Sequence, residues 1–393
     1  MPSKIIFTEE FCQPENLHPF TLTRRIQDIR VGILTIREKW ERMLDLPSFD
    51  KKEDDYKDSP NAMNLTEAAS DGSCFMIHGN VLPTPSLVKA VLKLKNGEFL
   101  SANGDEGIVF RFSKAEMMEE HKVRINKAVE FNEEILRLQF PWHICQLNDG
   151  AIRQDFQLLT TARKSEKLSE TNRITNPASV FVEEGVKMEH CILNASNGAI
   201  YIGKHAEIME GSMIRGPVSI GEGSVIKMGT KMYGATTVGP HCIVGGEIKN
   251  SVLFGCSNKA HDGYLGDSVI GEWCNLGAGT SNSNLKNNAG EVRIWTQKGK
   301  INAGNKCGVL MGDYSRTAIN TSLNTGTVIG ACCNVFGAGL TPKYIPSFSW
   351  GTNGIDRYGM EKAMVDIAAW KQMKGRTLGE REGIILKHIF DSF

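Results

Sequence analysis

The stretch Ile202-Gly-Lys-His-Ala-Glu-Ile208-Met-Glu-Gly-Ser-Met-Ile214-Arg-Gly-Pro-Val-Ser-Ile220-Gly-Glu-Gly-Ser-Val-Ile226-Lys-Met-Gly-Thr-Lys-Met232-Tyr-Gly-Ala-Thr-Thr-Val238-Gly-Pro-His-Cys-Ile-Val244 decides the fold. Every sixth residue from Ile202 to Val244 is large and aliphatic. A helix repeats every 3.6 residues and a strand every 2, so neither accounts for this spacing. A coil of six-residue rungs does, each rung sending one aliphatic side chain inward. Four residues after each aliphatic stand Ala206, Ser212, Val218, Ser224, Thr230, Thr236 and Cys242, compact as a tight corner requires. Gly203, Gly221 and Gly239 recur with a period of 18. Three rungs therefore make one triangular coil, and these glycines stack along a corner where positive φ favours glycine.

Outward from this core, Val180, Val186 and Ile192 carry the same period, separated from it by a four-residue slip near Asn197-Gly198. Ile270–Leu276 and Ile329–Val335 resume it. Between them, over 282–320, the period is lost and a protruding loop or irregular coil is expected. It also lapses around Asn250–Tyr264, where the chain places residues that regular rungs do not need. His205 and His241 each lie three residues after an inward aliphatic, which predicts surface side chains stacked on an outer face. No second histidine stands near His241 at a zinc-binding spacing, and no metal is expected there.

The flanks read differently. Lys4–Phe7 and Cys74–Ile77 predict strands, and Pro85–Leu94, Ser113–Gln139, Ala151–Thr161 and the second half of Asp28–Leu44 predict helices. Asp50–Asp58 is a charged loop. This is the pattern of an α/β domain over residues 1–162. The polar stretch 163–177 reads as a linker, 178–345 as the β-helix, and 346–393 as an extended and then helical tail. Helices over Met360–Met373 and Leu378–Phe390 are placed to cap the open end of the β-helix, whose strand edges would otherwise be bare.

Lys plus Arg and Asp plus Glu number 45 each, so net charge offers no argument for nucleic acid or a membrane surface. No apolar run approaches spanning length and the first residues lack the apolar core of a signal peptide, so a cytoplasmic protein is expected. The ten cysteines, none in C-x-x-C spacing, read as reduced, mostly buried thiols.

Ser257-Asn-Lys-Ala-His261-Asp-Gly-Tyr264-Leu-Gly-Asp267, followed by Asn275-Leu-Gly-Ala278-Gly-Thr and Asn284, resembles the acetyltransferase domain of the GlmU family. That family comprises bifunctional glucosamine-1-phosphate acetyltransferases and N-acetylglucosamine-1-phosphate uridylyltransferases. The whole chain is most similar to GlmU-related sugar nucleotidyltransferase proteins of Bacteroidetes. The resemblance implies a left-handed parallel β-helix, acetyl-CoA as co-substrate, an amino-sugar phosphate or nucleotide sugar as acceptor, a role in UDP-N-acetylglucosamine biosynthesis, and a homotrimer with the acyl site between neighbouring β-helices. It assigns the catalytic base to His261, the sugar and its phosphate to Lys249, Tyr264 and Asn275, and acetyl-CoA to Ala278 and Asn284, with Asn284 also at the reacting centre. An imidazole suits the role because it titrates near neutrality and can take the proton of an attacking amine. Asp262 and Gly263 depart from the family pattern and leave the acceptor open. Residues 277–280 also read as plain corner residues, and Asn275 and Asn284 as turn caps.

Leu17-His-Pro19-Phe-Thr21-Leu-Thr-Arg24, Val31-Gly32 and Thr35-Ile-Arg-Glu38 resemble the opening of sugar nucleotidyltransferases. Where that family has a glycine-rich phosphate loop, this chain has Glu9-Glu10-Phe-Cys-Gln-Pro-Glu15-Asn16. Asn80 stands where a Mg²⁺-binding aspartate is usual, and a neutral amide is a poor ligand for that ion. Arg25 replaces a usual proline, and Arg24, Arg25 and Arg30 remain as phosphate-binding candidates. The domain is thus a degenerate nucleotidyltransferase, with Mg²⁺ a cofactor only if it is active. Two alternatives stay open: nucleotidyl transfer to a sugar 1-phosphate as the main activity, and a non-catalytic scaffold that binds nucleotide sugars.

Overall fold

The computed structural model describes residues 2–70, 72–102, 107–118, 122–352 and 356–393. They form two compact units: one of the residues up to Pro14, Arg24–Ile29 and Leu34–Gln139, the other of Glu15–Thr23, Arg30–Ile33 and Phe140–Phe393.

The first unit is built on one sheet. Its strands are β1 (Pro2–Thr8), β2 (Ser48–Lys51), β3 (Ala62–Met63), β4 (Ser73–His78), β5 (Glu98–Ser101), β6 (Val109–Phe112) and β7 (Lys127–Glu130), in the order β3-β2-β1-β4-β6-β5-β7. β1 and β4 pair in parallel at the centre, and Ile5, Ile6, Phe75 and Ile77 are buried on both faces, as a covered parallel sheet requires. Helices α1 (Ile36–Leu44), α2 (Leu65–Ala68) and α3 (Pro85–Val91) belong to this unit. α1 starts at a Thr35/Glu38 capping box and buries Ile36, Trp40 and Leu44, four residues apart along one face. The helix expected over Ser113–Gln139 does not form. A short 3-10 turn, Lys114–Glu116, and β7 occupy that range, of which 119–121 lie outside the described residues. Pairing of β7 with β5 overrides the helix propensity of its Glu, Lys and Met content.

The second unit is a three-sided parallel β-helix of eight-, six- and nine-stranded faces. The inward residues from Ile202 to Val244 are all at most 2 % exposed, and the compact corner residues from Ala206 to Cys242 are wholly buried. Ile202, Ile220 and Val238 stack in register, one coil apart. The N-terminal coils use a different register from the expected one. Val182, Met188 and Leu193 point inward, whereas Ile192 is exposed, because apolar residues alternate in these short strands and pairing with Ile202, Ile208 and Ile214 selects among them. The polar stretch before them supplies a further strand, Arg173–Thr175, paired with Ile192–Asn194.

Gly203, Gly221 and Gly239 do stack, but none has positive φ. They are required by close approach: a Cβ on Gly203 or Gly221 would meet the backbone of the next glycine, and one on Gly239 the Phe254 carbonyl. The left-handed position of this corner comes two residues later, at His205, Gly223, His241, Cys256, Trp273, Tyr314, Cys332 and Phe348. There each amide donates to a carbonyl of the preceding coil, as from His205 to Glu184 and from His241 to Glu222. His205 and His241 thus share a column, with Gly223 between them.

The irregular segment is shorter than 282–320. An antiparallel hairpin, Arg293–Thr296 with Gly299–Asn302, leaves the coil after Asn282, and the winding resumes at Leu310-Met311. Thr317 fills an inward position there, so the aliphatic count missed that rung.

Helix α4 (His143–Thr160) belongs to this unit, its Asn148 accepting from Gly32 N at 2.7 Å and donating to the Ala235 carbonyl at 2.8 Å. The tail forms α5 (Met360–Met373) and α6 (Glu380–Ser392). Expected as a cap on the open end, it is held instead along the corner of left-handed residues. Lys374 Nζ donates to the His241 and Cys256 carbonyls at 2.9 Å, Tyr314 Oη donates to Glu382 at 2.7 Å, and Phe348 meets Phe390 edge-on. Aromatic rings and free carbonyls project at that corner and give the helices partners. No helix among the described residues is long and apolar enough to cross a membrane.

Candidate functional site

Regular coils take 18 residues, as from Ile220 to Val238. Around the expected site they shorten. Val238 pairs with Leu253 and Val244 with Lys259, coils of 15, and Ile248 pairs with Leu265, a coil of 17. The winding therefore continues through Asn250–Tyr264 in compressed form. His261 sits on the corner between the strands Asn258–Lys259 and Tyr264–Gly266, with its side chain exposed. The Asp262 carbonyl accepts from Gly279 N at 3.1 Å, which stacks the corner of Ala278 onto that of His261. The Ala278 carbonyl in turn accepts from Asn320 N at 2.7 Å.

Lys249 and Tyr264 lie on neighbouring strands of the six-stranded face. Asn284 joins them through side chains. Its Nδ2 donates to Tyr264 Oη at 3.2 Å and to Asp267 Oδ2, while Asp267 Oδ1 accepts from Asn250 Nδ2 at 2.9 Å. Burial, with the Asp267 and Glu247 carboxylates nearby, pushes the Tyr264 phenol above its ordinary value, so it stays a proton donor at neutral pH. The Lys249 ammonium lies 5.7 Å from the Tyr233 ring centroid. Tyr233 donates to Glu247 at 2.6 Å, and this bond above all pushes its phenol up to about 12. Beside Tyr233 a hollow of about 420 Å³ opens on the same face, lined by Ile192, Asn194, Met213, Arg215 and Lys231.

Asn275 lies on the eight-stranded face, around the corner from Lys249 and Tyr264. Its side-chain oxygen accepts from Asn258 Nδ2 at 3.4 Å, and Asn258 Oδ1 accepts from Lys374 Nζ at 2.9 Å, so this residue is tied to the tail. Within one chain the six residues thus divide into Lys249, Tyr264 and Asn284 on one face, His261 and Ala278 at the corner, and Asn275 on the next face.

Two side chains were missed. Asp267 was visible as the last residue of the Tyr-Leu-Gly-Asp run. Lys259 was visible too, because stepping by six from Leu253 meets Lys259 and then Leu265. It is 1 % exposed at an inward position, and its Nζ donates to the carbonyls of Gly245 at 3.3 Å, Asp262 at 3.2 Å and His261. Burial pushes this ammonium down to about 8, against a smaller opposite pull from Asp262.

In the first unit, ligands of an open α/β sheet are expected beyond the C-terminal ends of the parallel strands. After β1, Glu9 accepts from Arg25 Nη1 at 3.0 Å and from Ile26 N at 2.6 Å. Arg25 also binds Asp55 at 2.7 Å and Asp58 at 2.8 Å. It is buried and its charge is spent on three carboxylates, so it is not presented to a phosphate. Arg30, in the other unit, donates to the Ile33 carbonyl. Burial pushes the imidazole of His78, the last residue of β4, down to about 4 and the thiol of Cys12, beyond β1, up to about 12. Asn80 is buried, and its carbonyl accepts from Leu138 N at 2.8 Å. Among the described residues no three His, Cys, Asp or Glu side chains gather as metal ligands, and Glu9 is already bound by cations. The donors near Asn80 therefore do not fit Mg²⁺. The stretch Leu17–Thr23, which resembles a nucleotidyltransferase opening, lies in the second unit, where Thr23 donates to Asp313 at 2.6 Å and Phe20 packs on Phe254.

Residues 5–164 match the family model described as sugar nucleotidyl transferase. A bifunctional sugar-1-phosphate nucleotidylyltransferase/acetyltransferase of Sulfurisphaera tokodaii is 30 % identical over 227 residues, 56 % of this chain and 48 % of its own. The bifunctional protein GlmU of Methanocaldococcus jannaschii is 33 % identical over 101 residues, 26 % of this chain and 25 % of its own. That of a Cyanothece species is 26 % identical over 212 residues, 49 % and 43 % of the two chains. The chain spans about half the length of these curated relatives or less. Fold and matches together define the class: a stretch similar to sugar nucleotidyl transferases, joined to a β-helix of six-residue repeats. Over the stretches matched, the chain is similar to bifunctional GlmU proteins.

Proposed function

We propose that this protein is an acyltransferase that moves the acetyl group of acetyl-CoA onto an amino-sugar phosphate or nucleotide sugar. The observation that carries the reading is the exposed His261 on a compressed corner, next to the linked side chains of Tyr264, Asn284 and Asp267. His261 takes a proton from the sugar ammonium, and the freed nitrogen attacks the thioester carbonyl. The tetrahedral intermediate collapses, the C–S bond breaks, the departing thiolate takes a proton from the imidazolium, and the new amide nitrogen releases its surplus proton to water. Lys249 faces the sugar phosphate as a point charge. Both amide hydrogens of Asn284 are engaged, so it offers its oxygen to an amine N–H of the acceptor rather than a donor to the oxyanion. Ala278 lies at the corner and Asn275 on the next face, and a neighbouring β-helix in a homotrimer would complete the site. The ten free thiols suit a cytoplasmic setting. The test is thiol release from acetyl-CoA with a panel of amino-sugar phosphates and nucleotide sugars. Turnover that persists in His261→Ala, or none in the wild type with any acceptor, rejects the reading.

A second reading, nucleotidyl transfer to a sugar 1-phosphate, draws on the family match over residues 5–164. Arg25 and Asn80 oppose it. Pyrophosphate release from nucleoside triphosphates with Mg²⁺ and a sugar 1-phosphate decides it.

A further inference from the structure

Among the described residues, one inward rung of the β-helix carries a charged side chain. Val244, one coil before, and Leu253 and Leu265, one rung to either side, are buried aliphatics, and between them stands Lys259. An ammonium in such a place is tolerated only when its hydrogen bonds are met. All three N–H groups find acceptors, and all three acceptors are backbone carbonyls: Gly245 on the preceding coil, and His261 and Asp262 on the corner above. The location is where the coils shorten from 18 to 15 residues, which crowds successive corners. A Cβ on Gly246 would meet the His261 carbonyl at 2.9 Å and the Gly263 carbonyl at 2.8 Å. Several carbonyls therefore converge on one small region, and the ammonium holds them together from inside. An aliphatic residue would fill the rung equally well but take this donor from the Gly245 and His261 carbonyls and leave the Asp262 carbonyl with Gly279 N alone.

We propose that Lys259 is a positioning residue for His261: its interior ammonium staples the corner 260–263 to the preceding coil and so fixes the backbone that presents the imidazole. The catalytic consequence rests on the reading of His261 as the base; the structural consequence does not. The test uses the full chain with Lys259→Met, which keeps length and suits an apolar core. Hydrogen–deuterium exchange is followed at 260–264, alongside steady-state acetyl transfer and thermal unfolding. The expected result is corner exchange at least about 10-fold faster, with kcat reduced on the order of 100-fold, as for a reacting group displaced by about an ångström. KM for both substrates should stay within about 3-fold and Tm within a few degrees. Unchanged exchange at the corner overturns the proposal and leaves Lys259 as core filling, as does faster exchange with unchanged kcat in an enzyme whose turnover depends on His261. If the wild type shows no His261-dependent transfer, the catalytic reading fails and the exchange result alone decides whether Lys259 holds the corner. Should Lys259→Met not fold, Lys259→Gln, whose shorter arm keeps only two donors, is read in the same way. Wild-type protection of the corner in that variant would sink the idea.

Discussion

The two candidate sites use their charges in opposite ways. At the strand ends of the first unit Arg25 is buried and turned onto Glu9, Asp55 and Asp58, and Asn80 stands in a buried loop. At the compressed corner of the β-helix the charged and polar groups face outward: His261 is exposed and Lys249 and Tyr264 are half-buried. Polar residues that satisfy one another support a fold, while those that keep unused valence towards solvent can bind and react. On this contrast we read the first cluster as structural and propose chemistry at the second.

The most direct way to break that contrast is His261→Ala. Loss of a general base should lower acetyl transfer on the order of 1000-fold with unfolding unchanged, as measured by thiol release and circular dichroism. A variant retaining a tenth of the activity would move the chemistry elsewhere. Next in size is Arg25→Met, which removes the cation shared by three carboxylates and leaves Glu9 with Lys57 as its one cation among the described residues. It should destabilise the first unit by about 3–5 kcal/mol in denaturant titration, as for other broken buried ion pairs. A cost near zero would mean that the cluster is not structural and would reopen a phosphate-binding role for Arg25.

A pH titration sharpens the same point. Burial alone would raise the Asp50 carboxyl, but the Arg37 charge and hydrogen bonds from Arg37, Gln27 and Ser59 outweigh it and hold the group below the usual carboxylate range. A depressed carboxylate stabilises the fold above its unfolded value, about 3.9, and that stability is lost as pH falls through the lower folded value. Tm should therefore drop as acid is added below about pH 4, and Asp50→Asn should flatten the curve there. A parallel fall in both proteins would assign the acid sensitivity to other groups. The smallest effect is expected from Tyr264→Phe, which removes an acceptor for Asn284 and a donor facing the proposed acceptor sugar. A net hydrogen bond of about 1 kcal/mol corresponds to a rise of roughly 5-fold in acceptor KM, with kcat little changed. If kcat falls instead, Tyr264 acts in the transition state.

Much of the β-helix was legible because each rung repeats the same local demand. The inward aliphatics and the compact corner residues could be counted, and both columns are buried. The reading slipped where two candidates met the demand equally. Val180 and Val182 are both buried aliphatics, and only pairing with the next coil set Val180 in the compact corner column and Val182 in line with Ile202. It slipped again at Ser113–Gln139, where local propensity pointed to a helix and partnership with β5 made a strand. For the candidate site, the motif from Ser257 to Asn284 named the residues but not their division between two faces, which depends on where each coil turns.

The period of six was by itself enough to determine a triangular coil of parallel strands, since no other arrangement buries one residue in six along one line. Tertiary structure decided what became of the polar exceptions. Whether Arg25 is spent on three carboxylates, or Lys259 enters the core and reaches the Gly245 carbonyl one coil away, depends on partners brought close by coil length and strand pairing. Those are long-range quantities, and a residue's own neighbours in the chain do not contain them.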